Sequence, residues 1–134
     1  MTVRVVWAVS TMLFLAIPAA ARDCPTQDFG WEAREAAVRK APTCNEALAV
    51  AESCAFGASG DTGLSDIVID KCEADFLTKL SKAQRQAYDA GIRRCNSKHR
   101  RQDGSMYRSM EAFCRAKLAR DTAAKFARQT PPRR

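Results

Sequence analysis

The sequence predicts an all-α protein, a disulfide-stapled bundle of about five helices, and three observations lead there. No segment alternates polar and apolar residues as a half-buried strand would. Apolar residues instead recur three and four apart between punctuating Gly and Pro residues. Six cysteines, Cys24, Cys44, Cys54, Cys72, Cys95 and Cys114, are spread through that same helical pattern.

A first helix, rich in Ala and Glu, is expected from Asp28 to Lys40, stopping before Pro42, with Gly30 weakening its start. Thr43 and Glu46 form a capping box that opens a second helix, expected to end at Gly57. Residues Ala58 to Gly63 are small or polar without helical period and read as a loop. A third helix then begins near Leu64 or Ser65, with Leu64, Val68, Cys72, Phe76 and Leu80 as its core face and Ile69 and Leu77 beside them. Ser81 and Gln84 make a second capping box, opening a fourth helix that carries Tyr88, Ile92 and Cys95. Gln102-Asp103-Gly104-Ser105 breaks it, and a fifth helix follows from Ser105 to Gln129, with Met106, Met110, Phe113, Cys114 and Leu118 expected inward.

Residues 1–21 read as a signal peptide: Arg4, an uncharged stretch from Val5 to Ile17, then Pro18-Ala19-Ala20-Ala21 as a small-residue cleavage site. The stretch is shorter than the ~20 residues a membrane span needs, so no transmembrane segment is expected after processing. Arg22 and Asp23 separate Ala21 from Cys24, which argues against lipid attachment there. The expectation is a soluble periplasmic or secreted protein, with one helical domain over residues 22–128 and a disordered basic tail over residues 129–134.

An even cysteine count in an exported chain implies three bridges formed in an oxidising compartment. A metal site is not expected, since no pair has close C-x2-C spacing and His99 is the sole histidine. Cys44 and Cys54 share one helix at roughly 15 Å, beyond a bridgeable Cα separation of about 7 Å, so they cannot pair. Cys95 and Cys114 face each other across the Gly104 turn. Cys54 with Cys72 straddles the Gly60 loop less symmetrically, and Cys24 with Cys44 follows by elimination.

From Leu80 onward the sequence resembles the LprI-type lysozyme-inhibitor family of small exported helical domains. The resemblance rests on Leu80-Ser81-Lys82-Ala83-Gln84-Arg85, Tyr88, Cys95, Gly104-Ser105-Met106, Cys114 and Arg120. It departs from the family at Tyr88, where tryptophan is usual. The resemblance implies a helical scaffold and an inhibitor that binds without catalysis; it carries over no catalytic residue.

Charge divides the chain. From Arg22 to Asp75 there are five basic and eleven acidic residues, and from Phe76 to Arg134 sixteen basic and four acidic. A cationic lysozyme, or another envelope protein of that kind, would prefer the acidic half. There Asp66, Asp70 and Glu73 lie along one face of the third helix, after the Ser59-Gly60-Asp61-Thr62 loop. Ser59, Asp61, Thr62, Asp66, Asp70 and Glu73 are therefore the candidate partner-binding residues, with a solvated face as the plainer reading. In the basic half, acids at helical spacing offset Arg85, Arg93, Arg108, Arg115, Lys117 and Lys125. Arg94, Lys98, Arg100 and Arg101 are less compensated and form a candidate basic patch for anionic envelope polymers, the alternative function being an envelope-associated structural or adaptor protein. Nucleic acid is not expected, because export accompanies the charge and no binding motif does.

No catalytic residue or cofactor is expected. Asp61-Thr62-Gly63 spells the aspartic-protease triplet, but that chemistry needs two such loops on β-strands. Gly57-Ala58-Ser59-Gly60 lacks the spacing, strand and histidine of a nucleophile elbow. His99 sits among Lys98, Arg100 and Arg101 and reads as a surface residue.

Overall fold

Local side-chain to backbone bonds decide where the helices start. In the computed structural model, which describes residues 23–130, the Asp28 carboxylate accepts from the Gly30 amide at 2.8 Å. This turn delays the first helix, α1, to Trp31–Lys40. Ala41 closes it in an extended conformation ahead of Pro42, as the pre-proline residue prefers. In the second helix, α2 (Cys44–Cys54), the Thr43 hydroxyl accepts from the Glu46 amide at 3.2 Å and donates to the Glu46 carboxylate at 2.8 Å. α2 stops before the expected Gly57, because Ala55 is extended and Gly57 turns with φ +70°.

The third helix, α3, spans Asp61–Phe76. Asp61, Thr62 and Gly63, expected in a loop, form its first turn. A 3₁₀ turn at Leu77–Lys79 leads to the capping box of α4 (Lys82–Ser97), with both of its bonds made: Gln84 amide to Ser81 hydroxyl and Ser81 amide to Gln84 side chain. Gly104, at φ +125°, turns the chain into α5 (Ser105–Gln129). There is no strand among the described residues.

α3 is the centre of the bundle. Leu64, Val68, Cys72 and Phe76 are fully buried, as their spacing predicts, while Ile69, Leu77 and Leu80 pack against them partly covered. Burying Phe76 contributes ~2 to 3 kcal/mol. Val38 of α1 and Ala47, Leu48 and Ala51 of α2 complete that core, and Tyr88 of α4 meets Phe76 edge to face at 5.2 Å.

The expected inward face of α5 is wrong for its methionines. Met106 and Met110 are exposed, and the face turned to the core is Ser109, Ala112, Ala116, Ala119 and Ala123. Small side chains let α5 lie close along α3, and this is the bundle's most extensive helix contact. Phe113, Cys114 and Leu118 are half-buried.

All six cysteines are bridged, Cys95–Cys114 as expected. The other two pairings differ. Cys24 bridges Cys54 and Cys44 bridges Cys72, replacing Cys54–Cys72 and Cys24–Cys44. The cause is the antiparallel course of α1, α2 and α3: the start of α2 faces the end of α3, and the segment before α1 lies at the end of α2.

The signal peptide over residues 1–21 lies outside the described residues, as do residues 131–134 of the expected tail. Gln129 still belongs to α5. Among the described residues no helix is long and apolar enough to cross a membrane.

Candidate functional site

Asp61 is the most constrained side chain of the Gly57 to Gly63 region. It is fully buried, and its carboxylate accepts from the amides of Phe56, Gly57 and Ala58 at 3.0, 2.8 and 3.1 Å. The Ser109 hydroxyl of α5 adds a fourth donor at 2.6 Å. Three amides aimed at one carboxylate hold the loop as a nest around an anion. Asp61 is thus a structural anchor, and its place among the partner-contacting residues is corrected.

The remaining candidates separate. Ser59 and Thr62 stay at the surface, where the Thr62 hydroxyl donates to the Ser59 carbonyl at 2.7 Å. Asp66 faces Arg115 of α5 at 3.5 Å. Glu73 accepts from the Tyr88 hydroxyl at 2.8 Å. Asp70 is exposed, with no hydrogen bond or ion pair among the described residues. The stripe expected to meet a partner is mostly engaged within the molecule.

The Tyr88–Glu73 bond has a consequence at high pH. Burial first, then the Glu73 hydrogen bond and charge, push the Tyr88 phenol well above the ordinary tyrosine range. An unfolded chain releases this proton near pH ~10, whereas the folded one holds it, so the stabilisation is intact below that pH and lost as pH rises beyond it. A phenolate absorbance titration should show one tyrosine protonated until alkaline unfolding, a late step absent from Tyr88→Phe. Ionisation of Tyr88 near pH ~10 in the folded protein would contradict this.

Cationic side chains fall into two groups. α5 lies along α3 and reaches α2, so Arg115 pairs with Asp66, Lys117 with Glu52 at 2.9 Å, and Arg120 donates to Asn45 at 3.1 Å. Folding lays part of the basic half on the acidic half. It also changes the expected partners, since Asp121 pairs with Arg120 while Arg85 keeps Asp89. Arg94, Lys98, Arg100 and Arg101 remain exposed at the end of α4 and in the turn after it, with no carboxylate partner among the described residues.

Arg94 and Lys98 border an open groove of about 800 Å³, with Met110, Phe113 and Leu118 of α5 among its apolar lining and Lys117 also beside it. Comparison with known proteins returned no matching family model, no similar curated protein and no similar solved structure. Site and function therefore rest on the geometry.

His99, expected at the surface, is half-covered: its Nδ1 bonds to the Gln102 side chain and its ring lies 5.5 Å from that of Tyr107. Among the described residues no three His, Cys, Asp or Glu side chains converge as a metal site. The apolar lining of the groove was missed in sequence because Met110, Phe113 and Leu118 share the helical spacing of core residues. Their neighbours Ala112, Ala116 and Ala119, which take the core, give a weaker signal.

Proposed function

We propose that this chain is an exported binding protein that works without turnover and contacts an anionic envelope polymer through the cationic end of α4. The observation that carries the reading is the unequal fate of the two charged candidates. Asp61, Asp66 and Glu73 are engaged internally, while Arg94, Lys98, Arg100 and Arg101 stand exposed and unpaired among the described residues. Such a cluster attracts a polyanion over a Debye length, and the attraction falls with added salt. Three bridges within residues 24–114 suit an oxidising compartment, which supports export.

Calorimetric titration with long-chain inorganic polyphosphate tests it. Binding should weaken steeply with salt, and Arg94→Glu with Lys98→Glu should lose about tenfold or more in affinity. Salt-insensitive binding, or wild-type affinity in the double variant, overturns it.

The bridged α4–α5 hairpin favours a second reading, a lysozyme-inhibitor-like protein, with Asp70 as the stripe's available carboxylate. Lysozyme in place of polyphosphate in the same titration, with its activity followed, decides between the two.

A further inference from the structure

The largest exposed aromatic side chains of the described residues stand together. Phe29 is 78%, Phe56 51% and Trp31 38% exposed. Trp31 and Phe56 meet edge to face at 5.6 Å. Arg34, only 5% exposed, places its guanidinium 3.6 Å from the Phe56 ring centre and 5.7 Å from that of Phe29. Phe29 and Phe56 thus each turn one face to a buried cation, and Trp31 packs on the edge of Phe56, while part of every ring stays open to solvent.

Phe56 and Trp31 are held in place. The Phe56 amide is one of the three that bind Asp61. Arg34 donates to the Cys54 carbonyl, next to the Cys24–Cys54 bridge. Trp31 lies so tightly on Gly60 that a Cβ there would come within 2.0 Å of the indole. A rigid, exposed aromatic cluster loses little entropy on binding, and Trp and Arg dominate the energetic centres of protein interfaces. Exposed apolar side chains gathered in this way are a candidate contact site.

The rim sets the sign of the partner. Asp28 is the chain neighbour of Phe29, three residues before Trp31 opens α1; Glu32 follows Trp31 directly, and Glu35 lies one helical turn from it at i+4. Asp28 and Glu32 are exposed, and Glu35 is half-covered and paired with Arg39. The cation of this segment, Arg34, is spent beneath the rings. We propose that Phe29, Trp31 and Phe56, rimmed by Asp28, Glu32 and Glu35, form a docking face for a cationic protein that presents an apolar anchor among lysine or arginine side chains. The face uses other residues and the opposite charge from the α4 patch, so it stands or falls separately from polyanion binding.

Trp31 reports on its own site. The exported protein is titrated with a synthetic amphipathic Lys/Leu helical peptide, and the emission missing from a Trp31→Phe variant is followed. The expected result is a blue shift of that emission, with affinity falling about tenfold in Phe29→Ser and again in Glu32→Lys. Phe29 is mostly exposed, so the fold survives its replacement, which far-UV circular dichroism verifies. Arg94→Glu with Lys98→Glu should leave peptide binding at least as strong. The proposal is overturned if Trp31 emission does not respond, or if a Glu/Leu peptide binds equally well. It is also overturned if sedimentation shows a second copy of the chain on this face, as a dimer that Phe29→Ser dissociates.

Discussion

Replacing Asp61 by alanine should destabilise the protein by about 4 kcal/mol, a large part of the 5–15 kcal/mol typical of a domain. The change leaves the amides of Phe56, Gly57 and Ala58 and the hydroxyl of Ser109 without their acceptor. Hydrogen bonds to a charged group contribute ~1.5 to 3 kcal/mol each, but these share one carboxylate and cannot all be added. Asp61→Asn should be nearly as damaging, because its NH₂ group would face donors. Ser109→Ala removes one donor and leaves the other three bonds, so it should cost only ~1.5 kcal/mol. Thermal and urea unfolding check the series. A melting temperature of Asp61→Ala within about 3 °C of wild type would mean that the loop is held by something else.

The second large effect is that of the Cys44–Cys72 bridge. Removing it with Cys44→Ser and Cys72→Ser should cost about 3 to 4 kcal/mol, since it closes a loop with a sequence separation of 28 residues. It ties the start of α2 to the end of α3, so the α2–α3 hairpin would be held only by packing and by the turn around Asp61. Digestion without reduction should give a Cys44 peptide joined to a Cys72 peptide and a Cys24 peptide joined to a Cys54 peptide. A Cys54 peptide joined to a Cys72 peptide would refute the pairing. Urea unfolding of the double variant measures the energy.

The same bridge shows how much the sequence could say. Cys95–Cys114 is legible because the two cysteines lie evenly about the Gly104 turn. That evenness also holds for Cys44 and Cys72 about the loop between α2 and α3. Cys54 stands at the loop's edge and so cannot face Cys72, which lies far along α3. What obscured this was the extent of the loop: the Asp61 carboxylate draws the chain back on itself, and α3 starts earlier than its apolar pattern suggests. The Ser81 capping box, the bounds of α5 and the fully buried positions from Leu64 to Phe76 were all readable, because each follows from local spacing.

The candidate site was less legible. Asp66, Asp70 and Glu73 do lie along one face of α3, but the sequence does not show that Arg115 and Tyr88 come from other helices to meet two of them. Arg94, Lys98, Arg100 and Arg101 were readable because no carboxylate lies at helical spacing from most of them. The Phe29, Trp31 and Phe56 cluster was not, since Phe29 and Trp31 come from the start of α1 and Phe56 from the turn after α2, and only the fold brings them together.

The alanine seam between α3 and α5 limits how the sequence can drift. Ala112, Ala116 and Ala119 are wholly enclosed, and burying alanine sacrifices no rotamer freedom. The seam can therefore be close at little entropic cost, but it has no slack: a larger side chain must push two helices apart. Glycine would loosen α5 by roughly 1 kcal/mol per site, and serine would have to find an acceptor. Ser65 of α3 manages this by donating to the Ala112 carbonyl at 2.5 Å. Few alternatives remain at these positions, whereas α4, packed chiefly on α5 and widely exposed, can change its charged surface with little effect on the bundle.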